Sequence, residues 1–282
     1  MSPDLFHANL IVAALARRRP LLMGIVNVTP DSFHDGGRYA TAAAAIAHAH
    51  QLIDEGADII DIGGESTRPG ATPLAAAEEL ARVMPVLEAV HGVGVPVSVD
   101  TRQTAVMRAA LAAGAAMIND IQALRGEGAL GVLAETDASV CLMHMQGEPR
   151  TMQAAPHYAD VVAEVTAFLQ ARIEACVAAG IDRSRIVLDP GFGFGKRLDD
   201  NLALLQALPR LARLGLPLLV GVSRKSMIGA MTGRGDSEDL LAGSVAAALW
   251  AARRGAAILR VHDVAATRDA LAVWRQLEGE EQ

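Results

Sequence analysis

Short apolar runs recur eight times along the chain, and each closes on polar residues. LLMGIVNV (21–28) carries Asn27, and IIDIGGES (59–66) carries Asp61 and Glu65, followed by Thr67 and Arg68. VPVSVD ends at Asp100, AAMIND at Asn119 and Asp120, ASVCLMHM holds His144, and RIVLDP ends at Asp189. LPLLVGVSRKS delivers Arg224, Lys225 and Ser226, and AAILRVHD delivers Arg260 and His262. Runs this short, rich in Val, Ile and Leu on both faces, suit strands of a parallel sheet covered on both sides. Between them the apolar spacing predicts helices near 41–56, 74–91, 103–113, 127–136, 159–180, 199–214, 238–255 and 264–277. Gly56, Gly114, Gly180, Gly215 and Gly255 supply the stops that helix-to-strand connections need. Strand and helix alternating eight times predicts an α/β chain of one domain, a (β/α)8 TIM barrel. The carboxyl ends of all strands then share one face, so Asn27 and His262 meet at one mouth although they are far apart in sequence.

The length of 282 residues is consistent with that unit, since such barrels take roughly 250 residues. A single domain over 1–282 is expected, with the barrel at 20–277 and an N-terminal extension at 1–19. Hydrophobic residues make up 51% and aromatics only 3%, so the core is built from Ala, Leu, Val and Ile. The net charge of −7 argues against nucleic acid as a partner, because phosphate neutralisation needs a basic face. The basic run Arg17–Arg19 reads as a solvated end. Cys141 and Cys176 lack metal-ligand spacing and read as core thiols. No apolar run approaches the ~18 residues of a membrane span. The N-terminal stretch carries its charge after its apolar part, the reverse of a secretion signal. A cytoplasmic protein is expected.

Two connections are longer than the usual ~2–6 residues of a βα loop. NVTPDSFHDGGRY follows the first run and GGESTRPGATP the second. Long Gly-rich loops on the mouth of a barrel are candidates for lids. Two glycine patterns are not treated as nucleotide sites. GEGALG (126–131) does not follow a strand directly, and GFGFGKR (191–197) lacks phosphate-loop spacing, so the latter reads as a tight turn. Zinc signatures are missing. Magnesium needs few protein oxygens when a substrate phosphate supplies the rest, and Asn27 can offer one.

The cations Arg68, Lys225, Arg260 and His262 fall at the ends of strands two, seven and eight, where barrels often bind phosphate. Ser226 opens a stretch that can begin a helix, whose free N–H groups suit an anion. Across the mouth lie Asp100, Asn119 and Asp189. Buried carboxylates need donors, and a ring edge of the 2-amino-4-oxo-pyrimidine kind offers adjacent N–H groups. Asn119 can both donate and accept, and Lys225 can reach a ring oxygen or nitrogen. Spacing alone therefore points to a polar heterocycle joined to an anion. It leaves open Asp–Lys pairs that merely brace the barrel.

The strings themselves are more specific. MGIVNVTPDSFHDGG, DIGGESTRPGA, SVDT, INDI, CLMHMQG, LDPGFGFGK, GVSRKSMIG and RVHDV occur in this order and closely resemble dihydropteroate synthase of the folate pathway. The resemblance runs from about Leu21 to Val264. His34 departs from it, standing where the family pattern has Ser. The resemblance implies a single pterin-binding barrel that condenses 6-hydroxymethyl-7,8-dihydropterin diphosphate with para-aminobenzoate, giving 7,8-dihydropteroate and pyrophosphate. It implies a pterin pocket of Asp100, Asn119, Met143, Asp189, Phe194, Lys225 and Arg260, with Arg260 stacked on the ring. Asn27, Arg68 and His262 would hold the diphosphate with Mg2+, Asn27 as the metal ligand. Phe33, Thr67, Arg68, Pro69 and Ser226 would frame the aminobenzoate. Catalysis would rest on Asp100, Arg68, Lys225 and His262 through positioning and charge stabilisation, without a covalent nucleophile. The same resemblance implies a homodimer and an enzyme of the kind that sulfonamides target, without fixing its sensitivity to them. Two other readings are a corrinoid-dependent methyltransferase that binds pterin, and a non-catalytic pterin-binding paralogue. The first has no need for the GGESTRPG loop or the anion cluster, and the second has no need for Asn27, Thr67, Arg68, Lys225, Arg260 and His262 together.

Overall fold

The computed structural model describes residues 19–29, 38–66, 72–235 and 240–279, apart from the side chains of 38–41. Its strands are β1 (Leu21–Asn27), β2 (Ile59–Gly63), β3 (Val97–Asp100), β4 (Met117–Asp120), β5 (Ser139–Met143), β6 (Ile186–Asp189), β7 (Leu218–Val220) and β8 (Ala256–Val261). They pair in parallel, each with its sequence neighbour, and β8 closes on β1. The helices between them are α1 (Arg38–Asp54), α2 (Ala76–Val90), α3 (Thr104–Ala112), α4 (Ala129–Ala134), α5 (Val161–Ala178), α6 (Leu198–Gln206), α7 (Leu208–Leu211), α8 (Ser226–Thr232), α9 (Leu241–Arg253) and α10 (Val264–Leu277). This is the expected (β/α)8 barrel.

Two departures from the expected helices have local causes. The pattern over 199–214 breaks at Ala207, because Pro209 cannot continue a helix, and the chain restarts as α7 followed by a 3-10 turn at Ala212–Leu214. The Ser226 segment forms a helix of its own, α8, between β7 and α9. Helix ends at Gly56, Gly114, Gly180, Gly215 and Gly255 all have positive φ, as the stops require.

Side chains on a strand alternate between the barrel interior and the helical shell. The interior packs Leu21, Met23, Ile59, Met117, Cys141, Val187, Leu219 and Ile258 as one cluster. The opposite faces, including Leu22, Val26, Ile60, Ile62, Ile118, Leu142 and Leu188, join the larger cluster under the helices. The interior parity carries straight up to the mouth. It runs from Ile59 to Asp61, from Met117 to Asn119, from Val187 to Asp189 and from Ile258 to Arg260. Strand register then sets these groups beside one another: Gly63 with Asp100, Asp100 with Asn119, and Met143 with Asp189.

Candidate active site

Six polar side chains meet at the top of the barrel interior. Arg260 donates from Nε to Asp61 Oδ2 at 2.6 Å and from Nη2 to Asp100 Oδ2 at 2.9 Å. Asn119 donates from Nδ2 to the same Asp61 oxygen at 3.2 Å. Asp189 accepts the Gly191 N–H on Oδ1 at 2.7 Å. Lys225 donates to the Phe192 carbonyl, and its ammonium lies 4.8 Å from the centre of the Phe194 ring. Above this polar floor Ile121, Met143, Met145 and Met152 pack together with Phe194 against them. A polar edge under an apolar wall suits a flat heteroaromatic ring.

Burial perturbs these groups strongly. Asp100 is pushed up to about 7 by burial, with Arg260 pulling the other way. Asp189 is likewise raised by burial, opposed by Lys225 and the Gly191 N–H. Burial lowers Lys225 to about 8, although Asp189 favours its charge. Burial also works against Arg260, but Asp61 and Asp100 more than offset it and its pKa rises. The floor thus combines an arginine that stays charged with a carboxylate and an ammonium that titrate near neutrality.

Of the remaining expected residues, Asn27, His262 and Ser226 are described. Asn27 ends β1. A Cβ on Gly63 would lie 3.8 Å from both Asn27 Oδ1 and Asp100 Oδ2, so the bare glycine leaves space between those two groups. His262 has its backbone N–H 3.2 Å and its Nδ1 3.0 Å from Ser223 Oγ. Ser226 is the exposed first residue of α8. Arg224, with φ of 55°, turns its guanidinium onto Asp263 at 2.6 and 3.0 Å, and its backbone N–H donates to Ser244 Oγ. Phe33, Thr67, Arg68 and Pro69, and also His34, lie outside the described residues. Among the described residues no group of three His, Cys, Asp or Glu side chains could hold a metal ion.

Other polar residues near the strand ends are engaged away from this floor. His144 sits edge-on to Phe168 with ring centres 4.9 Å apart, and its Nδ1 is 3.0 Å from Lys196 Nζ. Burial and that lysine lower its pKa to about 3, while its buried contacts with Phe168 and Lys196 keep it in the core, away from the mouth. Asp120 accepts the N–H groups of Gln122 and Leu124, both at 2.7 Å. Glu65 pairs with Arg102 at 2.8 and 2.9 Å and accepts the Leu74 N–H. Lys196 closes the GFGFGKR turn by donating to the carbonyls of Gly191 at 2.8 Å and Phe194 at 3.1 Å. Gly191 must be glycine there, since a Cβ would fall 1.9 Å from the His144 oxygen.

Asp61 is the group that sequence reasoning left without a role. It is 0% exposed and lies at the centre of the floor. The available signal was alternation. Asp61 stands two residues after Ile59 on one strand, and it aligns with Ser98 of β3 in register.

A family profile described as pterin binding enzyme matches residues 23–262. The dihydropteroate synthase of Neisseria meningitidis serogroup B is 58% identical over 265 residues, covering 92% of this chain and 93% of the relative. The structure of Xanthomonas albilineans dihydropteroate synthase with 4-aminobenzoic acid is similar at a TM-score of 0.88 and 59% identity, covering 93% of this chain and 94% of that one. A structure of the enzyme from the same organism in complex with 7,8-dihydropteroate is similar at a TM-score of 0.83 and 53% identity, with the same shares covered.

Proposed function

This chain belongs to the dihydropteroate synthases, and from that premise we propose how its barrel mouth performs their reaction. The enzyme transfers a pterinylmethyl group to an arylamine in folate synthesis. It joins 6-hydroxymethyl-7,8-dihydropterin diphosphate to para-aminobenzoate and releases pyrophosphate. Relatives of this family have been solved with the aminobenzoate and with the condensed product. The observation that carries our reading of the site is the convergence of Asp100, Asn119, Asp189, Lys225 and Arg260 on one slot walled by Met143 and Phe194.

In that slot Asp189 and Asn119 take the polar edge of the pterin, and Lys225 donates to a ring acceptor. Arg260 is held edge-on by Asp61 and Asp100, and the plane of its guanidinium serves as the stacking surface. Carbon–oxygen cleavage leaves positive charge on the pterin methylene. Ionised Asp100, beside the ring, stabilises that charge, because the site is arranged before the charge forms. Asn27, Arg68 and His262 hold the diphosphate. Magnesium fits here as an ion carried largely by the diphosphate, with Asn27 Oδ1 as its protein ligand, and when bound it neutralises charge on the leaving group. Phe33, Thr67, Arg68, Pro69 and Ser226 frame the aminobenzoate, and this is where we place sulfonamide competition. The arylamine nitrogen attacks the methylene, and its proton passes to pyrophosphate or solvent.

We take the barrel unit as residues 20–277, with 1–19 as an extension. A homodimer is supported by an apolar groove along α6, α8 and α9 that leaves Met231 and Trp250 more than two-fifths exposed. Cytoplasmic residence is supported by two free buried cysteines, and among the described residues no helix is long and apolar enough to cross a membrane.

Pyrophosphate release tests the function. It should require pterin diphosphate, para-aminobenzoate and magnesium together. Arg68→Ala should raise the diphosphate and magnesium requirement while free pterin still binds in a calorimeter. Equal loss of free pterin binding would overturn the separation of ring slot from anion site.

A further inference from the structure

Asp61 touches two members of the ring slot with a single oxygen. Its Oδ2 accepts from Arg260 Nε at 2.6 Å and from Asn119 Nδ2 at 3.2 Å. Its other oxygen, Oδ1, is buried with no hydrogen-bond partner among the described residues, and so is Ser98 Oγ beside it in register. A fully buried carboxylate with one oxygen unsatisfied is a poor device for stability alone, since an apolar side chain of similar volume is often equal or better. Its retention at the centre of the floor needs another reason.

That reason lies in the chemistry of the two donors. An ionised carboxylate only accepts hydrogen bonds. It therefore forces one orientation on Asn119: the amide nitrogen turns to Asp61, and the amide oxygen turns away from it. An apolar side chain at position 61 would accept from neither end of Asn119 and would impose no orientation. The same oxygen holds Arg260 Nε while Asp100 holds Nη2 on the same edge of the guanidinium, so the two carboxylates together fix its plane.

We propose that Asp61 is a positioning residue of the pterin slot, which sets the donor–acceptor polarity of Asn119 and holds the plane of Arg260, and so determines which heterocycle edge is accepted. This rests on the reading of the slot as the pterin site. Asp61 makes no contact with the reacting atoms. It acts through Asn119 and Arg260.

The test measures the affinity of the intact protein for two probes, pterin and 2,4-diaminopteridine, whose ring edges exchange donors for acceptors. The wild type should discriminate between them. In Asp61→Ala the affinity ratio should fall toward one, by about tenfold or more, the size expected when a charge-assisted hydrogen bond stops dictating an orientation. Asp61→Asn should keep most of the ratio, because Arg260 Nε can only donate, so the amide oxygen takes the place of Oδ2 and still accepts from Asn119 Nδ2. A purely structural role for Asp61 predicts an equal loss of affinity for both probes, with the ratio unmoved. If Asp61→Ala does not fold, Asp61→Val, which removes the same acceptor and fills the space, carries the test with the same expectation. An unchanged ratio in the apolar variant, an absent ratio in the wild type, or loss of the ratio in Asp61→Asn each overturns the proposal. Asp189→Asn serves as the control. If it leaves pterin binding unchanged, the slot itself has been misread, whereas its weakening together with an unaltered ratio in the apolar variant sinks only the role of Asp61.

Discussion

Asn119 and Asp120 are neighbours on β4, both buried, and they belong to different regions of the molecule. Asn119 faces the barrel interior and joins Asp61 on the floor of the slot. Asp120 faces the helical shell and ties down the turn at Gln122 and Leu124, where Ala123 and Leu124 hold positive φ. The same division separates Lys225 from Lys196. Burial lowers both, to about 8 and about 7 respectively. Yet Lys225 lies over Phe194 in the slot, while Lys196 donates to backbone carbonyls of its own turn. Burial and a displaced pKa therefore do not by themselves identify functional groups in this protein. The direction in which the side chain faces does, because only groups turned to the interior share space with a ligand.

The comparison can be broken first at Asp189. Asp189→Asn should weaken pterin binding by about 2–4 kcal/mol, because a buried charged acceptor is lost. Calorimetry with unchanged affinity would remove Asp189 from the slot. On the shell side, Asp120→Ala should lower unfolding stability by about 2–3 kcal/mol, as two buried N–H groups lose a charged acceptor. Urea melts should show that loss, while pterin affinity of the folded protein stays near wild type. A large affinity loss there would dissolve the division between the faces.

The loops sharpen the picture at smaller energies. On the proposed roles of Asn27 and Arg68, which would link the diphosphate position to the two long loops, pyrophosphate with magnesium should tighten para-aminobenzoate binding by roughly 1–3 kcal/mol. The coupling should shrink in Arg68→Ala. Titration of labelled para-aminobenzoate with and without pyrophosphate measures it, and equal affinities would mean a preformed subsite.

The smallest effect, spread over pH, comes from Asp100 and Lys225. Ionised Asp100 and protonated Lys225 coexist best between about 7 and about 8. The specificity constant kcat/KM for pterin diphosphate should fall on both sides, by up to about tenfold per pH unit. Lys225→Arg should abolish the alkaline limb. Stability should run in the opposite sense. Asp100 is raised above its ordinary 3.8, so the folded state binds the extra proton and the contribution to stability is lost as pH rises toward 7. Lys225 is lowered from 10.5, so its contribution to stability grows only as pH rises beyond about 8. The two groups together should give a stability minimum where activity peaks. Thermal melts of the wild type, compared with a variant carrying Asp100→Asn and Lys225→Met, would reveal it as a pH-dependent difference, and a flat difference would contradict both shifts.

Much of this molecule is legible without coordinates. Apolar runs with polar ends fix eight strands and their order, because local propensity and periodicity need no distant partner. The same runs name Asn27, Asp100, Asn119, Asp189, Lys225, Arg260 and His262, since a closed barrel brings every strand end to one mouth. Exact helix limits were less legible, as the break before Pro209 and the separate helix from Ser226 demonstrate. Tertiary structure alone decided which strand-end groups look inward. His144 and Asp189 both close apolar runs, but the parity of β5 turns His144 onto Phe168 and the parity of β6 turns Asp189 into the slot. It also decided the partner of Arg260. Asp61 lies 199 residues away in sequence, and only barrel closure brings the two within 2.6 Å. Sequence specifies which groups stand at each strand end, whereas pleat parity, register and closure determine which of them meet, because those are properties of strands paired with one another and not of any strand alone.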